Sequence, residues 1–143
     1  EQLPSHRGHE QRGVELVEQV CQRLKVPNHC RDLGRLVSKL HLHCHRALEL
    51  TPGTVLKLFE QLDAFRRPER VEQFVLACEA DARGRAGLEQ RDYPQADYLR
   101  AAFAVARQVD PRAFVAQGLQ GPAIAQALHQ ARAEAIRGLR ENS

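Results

Sequence analysis

Apolar residues return every third or fourth position along most of the chain, and no stretch sustains the alternating, β-branched pattern of a strand. The sequence therefore predicts an all-α fold. The stripe Val14, Val17, Val20, Cys21 and Leu24 predicts a helix from about Glu10 to Leu24, stopped by Val26-Pro27-Asn28. A second helix, from about Cys30 to His45, gathers Leu33, Leu36, Val37, Leu40 and Cys44 on one side. Thr51-Pro52 supplies an N-cap and a first-turn residue for a third, with Val55, Leu56, Leu58, Phe59 and Leu62 inward and an end expected near Arg66. Pro68 opens a fourth, carrying Val71, Phe74, Val75 and Cys78 and running out near Arg83-Gly84-Arg85.

The polar stretch from Gly84 to Pro94 interrupts this periodicity and is the candidate boundary between two subdomains. A further helix is expected from about Gln95 to Val109. A last one, past Gly118 and Gly121-Pro122, runs to about Leu139 with Ile124, Leu128, Ala131 and Ala135 on one side and Arg132, Arg137 and Arg140 elsewhere. The expected organisation is a first helical domain over 1–85, a linker over 86–95 and a helical tail over 96–143.

The bulk numbers narrow this picture. A chain of 143 residues with 43% hydrophobic content buries one core of ordinary size or two small helical subdomains in contact. It contains no Met, from which it is expected to be a piece of a longer protein. Cys21, Cys30, Cys44 and Cys78 have no paired CxxC spacing and fall on or beside apolar helical faces, so they read as reduced core cysteines of a cytoplasmic protein. The longest apolar run is far too short to cross a bilayer, and no membrane partner is expected.

Lys plus Arg exceed Asp plus Glu by 21 to 18, and only three of the basic residues (Lys25, Lys39 and Lys57) are lysines. The planar guanidinium fork suits phosphate, so this bias fits an RNA partner; a codon bias that raises Ala and Arg together fits it equally. Arg66-Arg67-Pro68-Glu69-Arg70 concentrates three guanidinium groups at one helix junction, suited either to clamping phosphates or to pairing with Glu60, Glu69 and Glu72. Gly118-Leu119-Gln120-Gly121-Pro122 leads into the last helix and is either a plain turn or a glycine turn whose N–H groups hold a phosphate.

Candidate chemistry is concentrated early. Six of the seven histidines (His6, His9, His29, His41, His43 and His45) lie in the first 63 residues. His41 and His45 are four apart and share a helix face, whereas His43 points roughly opposite. Asp63 follows Phe59 by four and Leu56 by seven, on the apolar side of its expected helix. A carboxylate there needs a cation: a divalent metal with histidine ligands, or Arg66, Arg67 or Arg70. His6 and His9 flank Gly8 ahead of the first helix, either facing a phosphate or exposed in a leader.

The runs LPSHRGHEQRGVELVEQVCQRLKVPN, KLFEQLDAFRRPERVEQFVLACEADARGR and YPQADYLRAAFAVARQV, with GLQGPAIAQAL near the end, resemble the C-terminal half of the multifunctional CCA proteins of proteobacteria over nearly the whole chain. DAFRRPER and CEADARGR are the most specific segments. The resemblance implies a longer parent whose N-terminal nucleotidyltransferase domain adds CCA to the 3′ end of tRNA from CTP and ATP, using magnesium. It also implies an HD-type helical domain with metal-dependent phosphodiesterase and phosphatase activities that favours nickel.

Carried over onto matching positions, the resemblance makes His9 and His41 candidate catalytic histidines and Asp63 and His45 candidate metal ligands. The region from about Gly84 onward resembles the tRNA-contacting tail. The expected phosphate-binding residues are Arg66, Arg67, Arg70, Gly118, Gly121 and Arg132. This sequence has no adjacent His-Asp pair, the signature of the HD domain, so the chain by itself is expected to supply half a site, with weak metal affinity and little turnover. A helical module that only binds RNA or forms a homodimer is the alternative.

Overall fold

Proline sets where three of the helices begin. Its fixed φ suits the first turn, and its missing N–H is one the helix would leave unpaired. The computed structural model describes residues 28–84 and 92–141; the helix expected over 10–24, with His6 and His9, lies outside them. The described elements are α1 (Asn28–His45), a 3-10 turn (Ala47–Glu49), α2 (Pro52–Gln61), α3 (Glu69–Arg83), α4 (Pro94–Arg107), α5 (Arg112–Ala116) and α6 (Pro122–Glu141). All regular structure among the described residues is helical.

At the start of α2 the Thr51 side chain accepts the Thr54 N–H at 3.3 Å, the capping expected from Thr51-Pro52. α3 follows Pro68 and places Glu69 and Glu72 in its first turn, where the helix dipole favours negative charge.

The end of α2 differs from the expectation. The helix stops at Gln61 and not near Arg66, because Asp63 takes a left-handed conformation with φ 57°. The Ala64 N–H reaches back to the Phe59 carbonyl and the Asp63 N–H to that of Glu60, both at 3.0 Å. This is the Schellman arrangement, with Ala64 and Phe59 both buried beneath it. Glycine usually fills that position; an aspartate tolerates it better than most residues, so the sequence carries no obvious stop.

The short α5 was not expected, and it closes the same way. The Gly118 N–H bonds to Val115 O at 3.0 Å and that of Leu119 to Phe114 O at 3.1 Å, with Gly118 at φ 91°.

The buried side chains form one cluster. Leu40, Cys44, Val55, Leu56, Phe59, Leu62, Phe74, Val75 and Cys78 come from before the 84–94 stretch, and Leu99, Ala102, Phe103 and Ile136 from after it. α4 lies at the centre of this core, packing on α1, α2, α3, α6 and the 3-10 turn, with α6 its most extensive partner. The helices on either side of the expected boundary thus share a core. Arg140 fastens the end of α6 to the start of the chain's packing by donating to Ala47 O at 3.1 Å.

Candidate functional site

The candidate residues fall into two places. The first centres on His45, at the end of α1. Its Nδ1 lies 2.7 Å from the Tyr93 hydroxyl and its Nε2 lies 3.0 Å from Asp81 Oδ2 on α3. The Tyr93 oxygen is also 3.3 Å from Cys44 Sγ. Its single proton therefore serves Cys44 or His45, according to which ring nitrogen is protonated. Gln95 adds a bond to the His45 carbonyl at 2.8 Å, so the start of α4 is tied to the end of α1 at two points. Burial, then the contact with Cys44, raises the Tyr93 hydroxyl well above the ordinary phenol range. Contact with Cys44, then burial, raises the Cys78 thiol likewise. His41 stands edge-on to His45, ring centres 5.7 Å apart, and its Nδ1 turns back to the carbonyls of Val37 and Ser38 at 3.1 Å each.

Asp63 does not join these histidines. Its left-handed turn leaves the carboxylate 43% exposed, where Arg66 meets it at 2.7 Å. The cation that the sequence demanded for this carboxylate is thus supplied by the neighbouring guanidinium. His45 already spends both ring nitrogens on protein partners. Among the described residues no group of three or more His, Cys, Asp or Glu side chains is arranged to hold a metal ion. The described residues therefore do not fit the metal that the resemblance implies. His9 lies outside them.

The second place is built from arginine and aromatic rings. The turn after α2 carries Phe65 against Phe59 and Phe103, with ring centres 6.4 Å and 5.3 Å away. Arg132, from the middle of α6, lays its guanidinium over Phe65 at 3.7 Å from the ring centre, and Arg107 sits 5.4 Å from the centre of Phe103. Such stacking stabilises by about 0.5–2 kcal/mol and fixes the plane of the fork. Arg132 Nε is buried without a hydrogen-bond partner among the described residues. Burial pushes this guanidinium down from its ordinary value, while the charge of Glu60 acts the other way. Glu60 is itself engaged by His129 at 3.2 Å, one turn before Arg132.

Of the expected phosphate-binding residues, Arg132 stacks on Phe65, and Arg66 and Arg67 follow that residue directly in the chain, Arg66 being paired with Asp63. Arg67 is exposed and has no ion pair among the described residues. Arg70 turns towards the end of α2, its Nη1 3.4 Å from Leu62 O. Gly118 and Gly121 both have positive φ, but the Gly118 N–H is spent on Val115 O. Sequence reasoning missed Phe65, Phe103, Arg107 and Tyr93. An aromatic residue set between Asp63 and two arginines was a visible signal for Phe65; the others needed the packing.

No family model matches the chain, and no solved structure matches it. Curated relatives do. The multifunctional CCA protein of Thioalkalivibrio sulfidiphilus is 57% identical over 138 residues, 96% of this chain and 34% of its own length. That of Halorhodospira halophila is 56% identical over 136 residues, 95% and 33%. That of Pseudomonas aeruginosa is 51% identical over 138 residues, 96% and 34%. The chain spans about a third of the length of these relatives. Similarity at this level over nearly its whole length makes the chain a member of the multifunctional CCA protein family.

Proposed function

We propose that this chain is the C-terminal helical region of a tRNA CCA-adding enzyme, and that its own task is to hold tRNA. Nucleotide addition from CTP and ATP, with its magnesium, belongs in this reading to the part of the parent outside these 143 residues. The observation that carries it is the 57% identity with a multifunctional CCA protein over 96% of the chain. The guanidinium of Arg132, held flat on Phe65, and the exposed Arg67 two residues along the chain from that ring support it, since arginine forks recognise phosphate oxygens in pairs.

A hydrolytic role for His9, His41, His45 and Asp63 with nickel is the expectation drawn from the family's HD domain. The partners found for Asp63 and His45 favour the non-catalytic alternative for the chain by itself: one carboxylate held by Arg66, one imidazole held between Tyr93 and Asp81.

The test is a titration of labelled tRNA with the 143-residue chain at several salt concentrations, with a nickel-dependent assay on 2′,3′-cyclic phosphate ends alongside. Binding that falls steeply with salt, without turnover, is the expected result. No binding at low salt refutes the reading, and nickel-dependent turnover restores the hydrolytic one.

A further inference from the structure

Two of the four cysteines meet between neighbouring helices. Cys44 lies in the last turn of α1 and Cys78 in the second half of α3, both fully buried in the shared core. α1 and α3 pack extensively on one another, and across that seam the two thiols are in hydrogen-bond contact. Both sulfurs are free. A thiol is a weak donor and a weak acceptor, so this contact adds little stability of its own. It does keep two sulfurs within reach of each other, on helices that the core holds in place.

One sulfur has a further partner. The Tyr93 hydroxyl lies 3.3 Å from Cys44 Sγ and 2.7 Å from His45 Nδ1, and the His45 side chain is 18% exposed. The buried pair is thus two contacts from solvent, through a single hydroxyl at the start of α4. A donor beside Cys44 stabilises negative charge that develops on its sulfur, which is the condition for that sulfur to act as a nucleophile.

We propose that Cys44 and Cys78 are a dithiol pair that hydrogen peroxide closes to a disulfide, stapling α1 to α3. Peroxide is the oxidant because it is small enough to reach a core sulfur when the Tyr93 ring moves aside. The Cys44 sulfur attacks one peroxide oxygen, the O–O bond breaks, and the departing hydroxide takes the thiol proton as water, leaving a sulfenic acid. The Cys78 sulfur then attacks the Cys44 sulfur. The S–O bond breaks, and hydroxide leaves with the Cys78 proton as a second water. Two thiols are oxidised to one disulfide and one peroxide is reduced to two waters. The bond encloses α2 and the Asp63 turn in a covalent loop, and a dithiol reductant reopens it. This is independent of the tRNA reading.

The experiment treats the reduced, folded 143-residue chain with hydrogen peroxide, alkylates the remaining thiols and maps tryptic peptides by mass spectrometry. Trypsin cuts after Lys39, Arg46, Arg70 and Arg83, so Cys44 falls on peptide 40–46 and Cys78 on peptide 71–83, each with one sulfur. The expected result is a linked pair of these peptides, with the chain lighter by two hydrogens and the link lost on adding dithiothreitol. The oxidised chain should melt about 10 °C higher, because the loop is closed in its unfolded state too. Cys78→Ala, with its helicity confirmed by circular dichroism, should show no such rise after peroxide.

The same treatment in urea gives the level of linkage when Cys21 and Cys30 compete freely. Linkage of 40–46 to 71–83 in the folded chain no greater than that level overturns the inference. So does recovery of Cys44 and Cys78 as alkylated thiols after peroxide, their separate oxidation to sulfinic acids, or an equal rise in melting temperature for Cys78→Ala.

Discussion

Replacing Tyr93 by Phe removes one oxygen and leaves the ring in place. That oxygen is 2.7 Å from His45 Nδ1 and 3.3 Å from Cys44 Sγ, on a residue only 9% exposed. An ordinary hydrogen bond contributes a net 0.5–1.5 kcal/mol or so, and a buried partner left unsatisfied costs about 1–3 kcal/mol. His45 is 18% exposed at its side chain, so water replaces part of its loss; the sulfur of Cys44 is fully buried but a weak acceptor. The expected cost is about 1–2 kcal/mol, which for a chain of this size lowers the melting temperature by about 4–8 °C. The assay is urea and thermal unfolding followed by circular dichroism, with an unchanged urea slope required so that the shift reports stability. A double-mutant cycle with His45→Ala should return a coupling of about 1 kcal/mol. Tyr93→Phe within about 0.5 kcal/mol of the wild type, or a coupling near zero, refutes the view that this hydroxyl ties α4 to α1.

The Tyr93 proton is held more tightly in the folded chain than its ordinary value of 10.0, chiefly by burial, so the unfolded chain ionises first. Its contribution to stability should fall as pH rises beyond about 10, with Tyr93→Phe flattening the fall; urea midpoints from pH 7 to 11 test this. Glu72 is held below its ordinary 4.5 by the hydrogen bond from Arg100, so its contribution is present above that pH and lost as pH falls below it. Because both side chains are substantially exposed, Glu72→Gln should cost less than about 1 kcal/mol at pH 7, and an equal cost at pH 3 would contradict the pairing. At the left-handed position 63, Asp63→Gly should match the wild type to within about 1 kcal/mol, relief of backbone strain offsetting the lost Arg66 pair. Asp63→Val should be worse by about 1–3 kcal/mol in the same unfolding assay, and equal midpoints for the two would refute the left-handed turn.

Local information in the sequence determined the all-α class, the starts of α2, α4 and α6 at Pro52, Pro94 and Pro122, the cap at Thr51 and most of the inward stripe on each helix. These depend on residues within one or two turns of each other, which is the range over which periodicity and capping act. DAFRRPER and CEADARGR carried the family as well. The tertiary structure decided what lies farther apart. His45 meets Tyr93 across 48 positions and Asp81 across 36, and Arg132 reaches Phe65 from another helix. It also decided the fate of Asp63, where a helix expected to run on to Arg66 ends in a left-handed turn and aims the carboxylate at Arg66. The physical reason is the same in each case. Helical spacing tells which side of its own helix a residue occupies, whereas the choice of partner for a charge or a ring is made when whole helices pack, by whichever neighbour the shared core brings within reach.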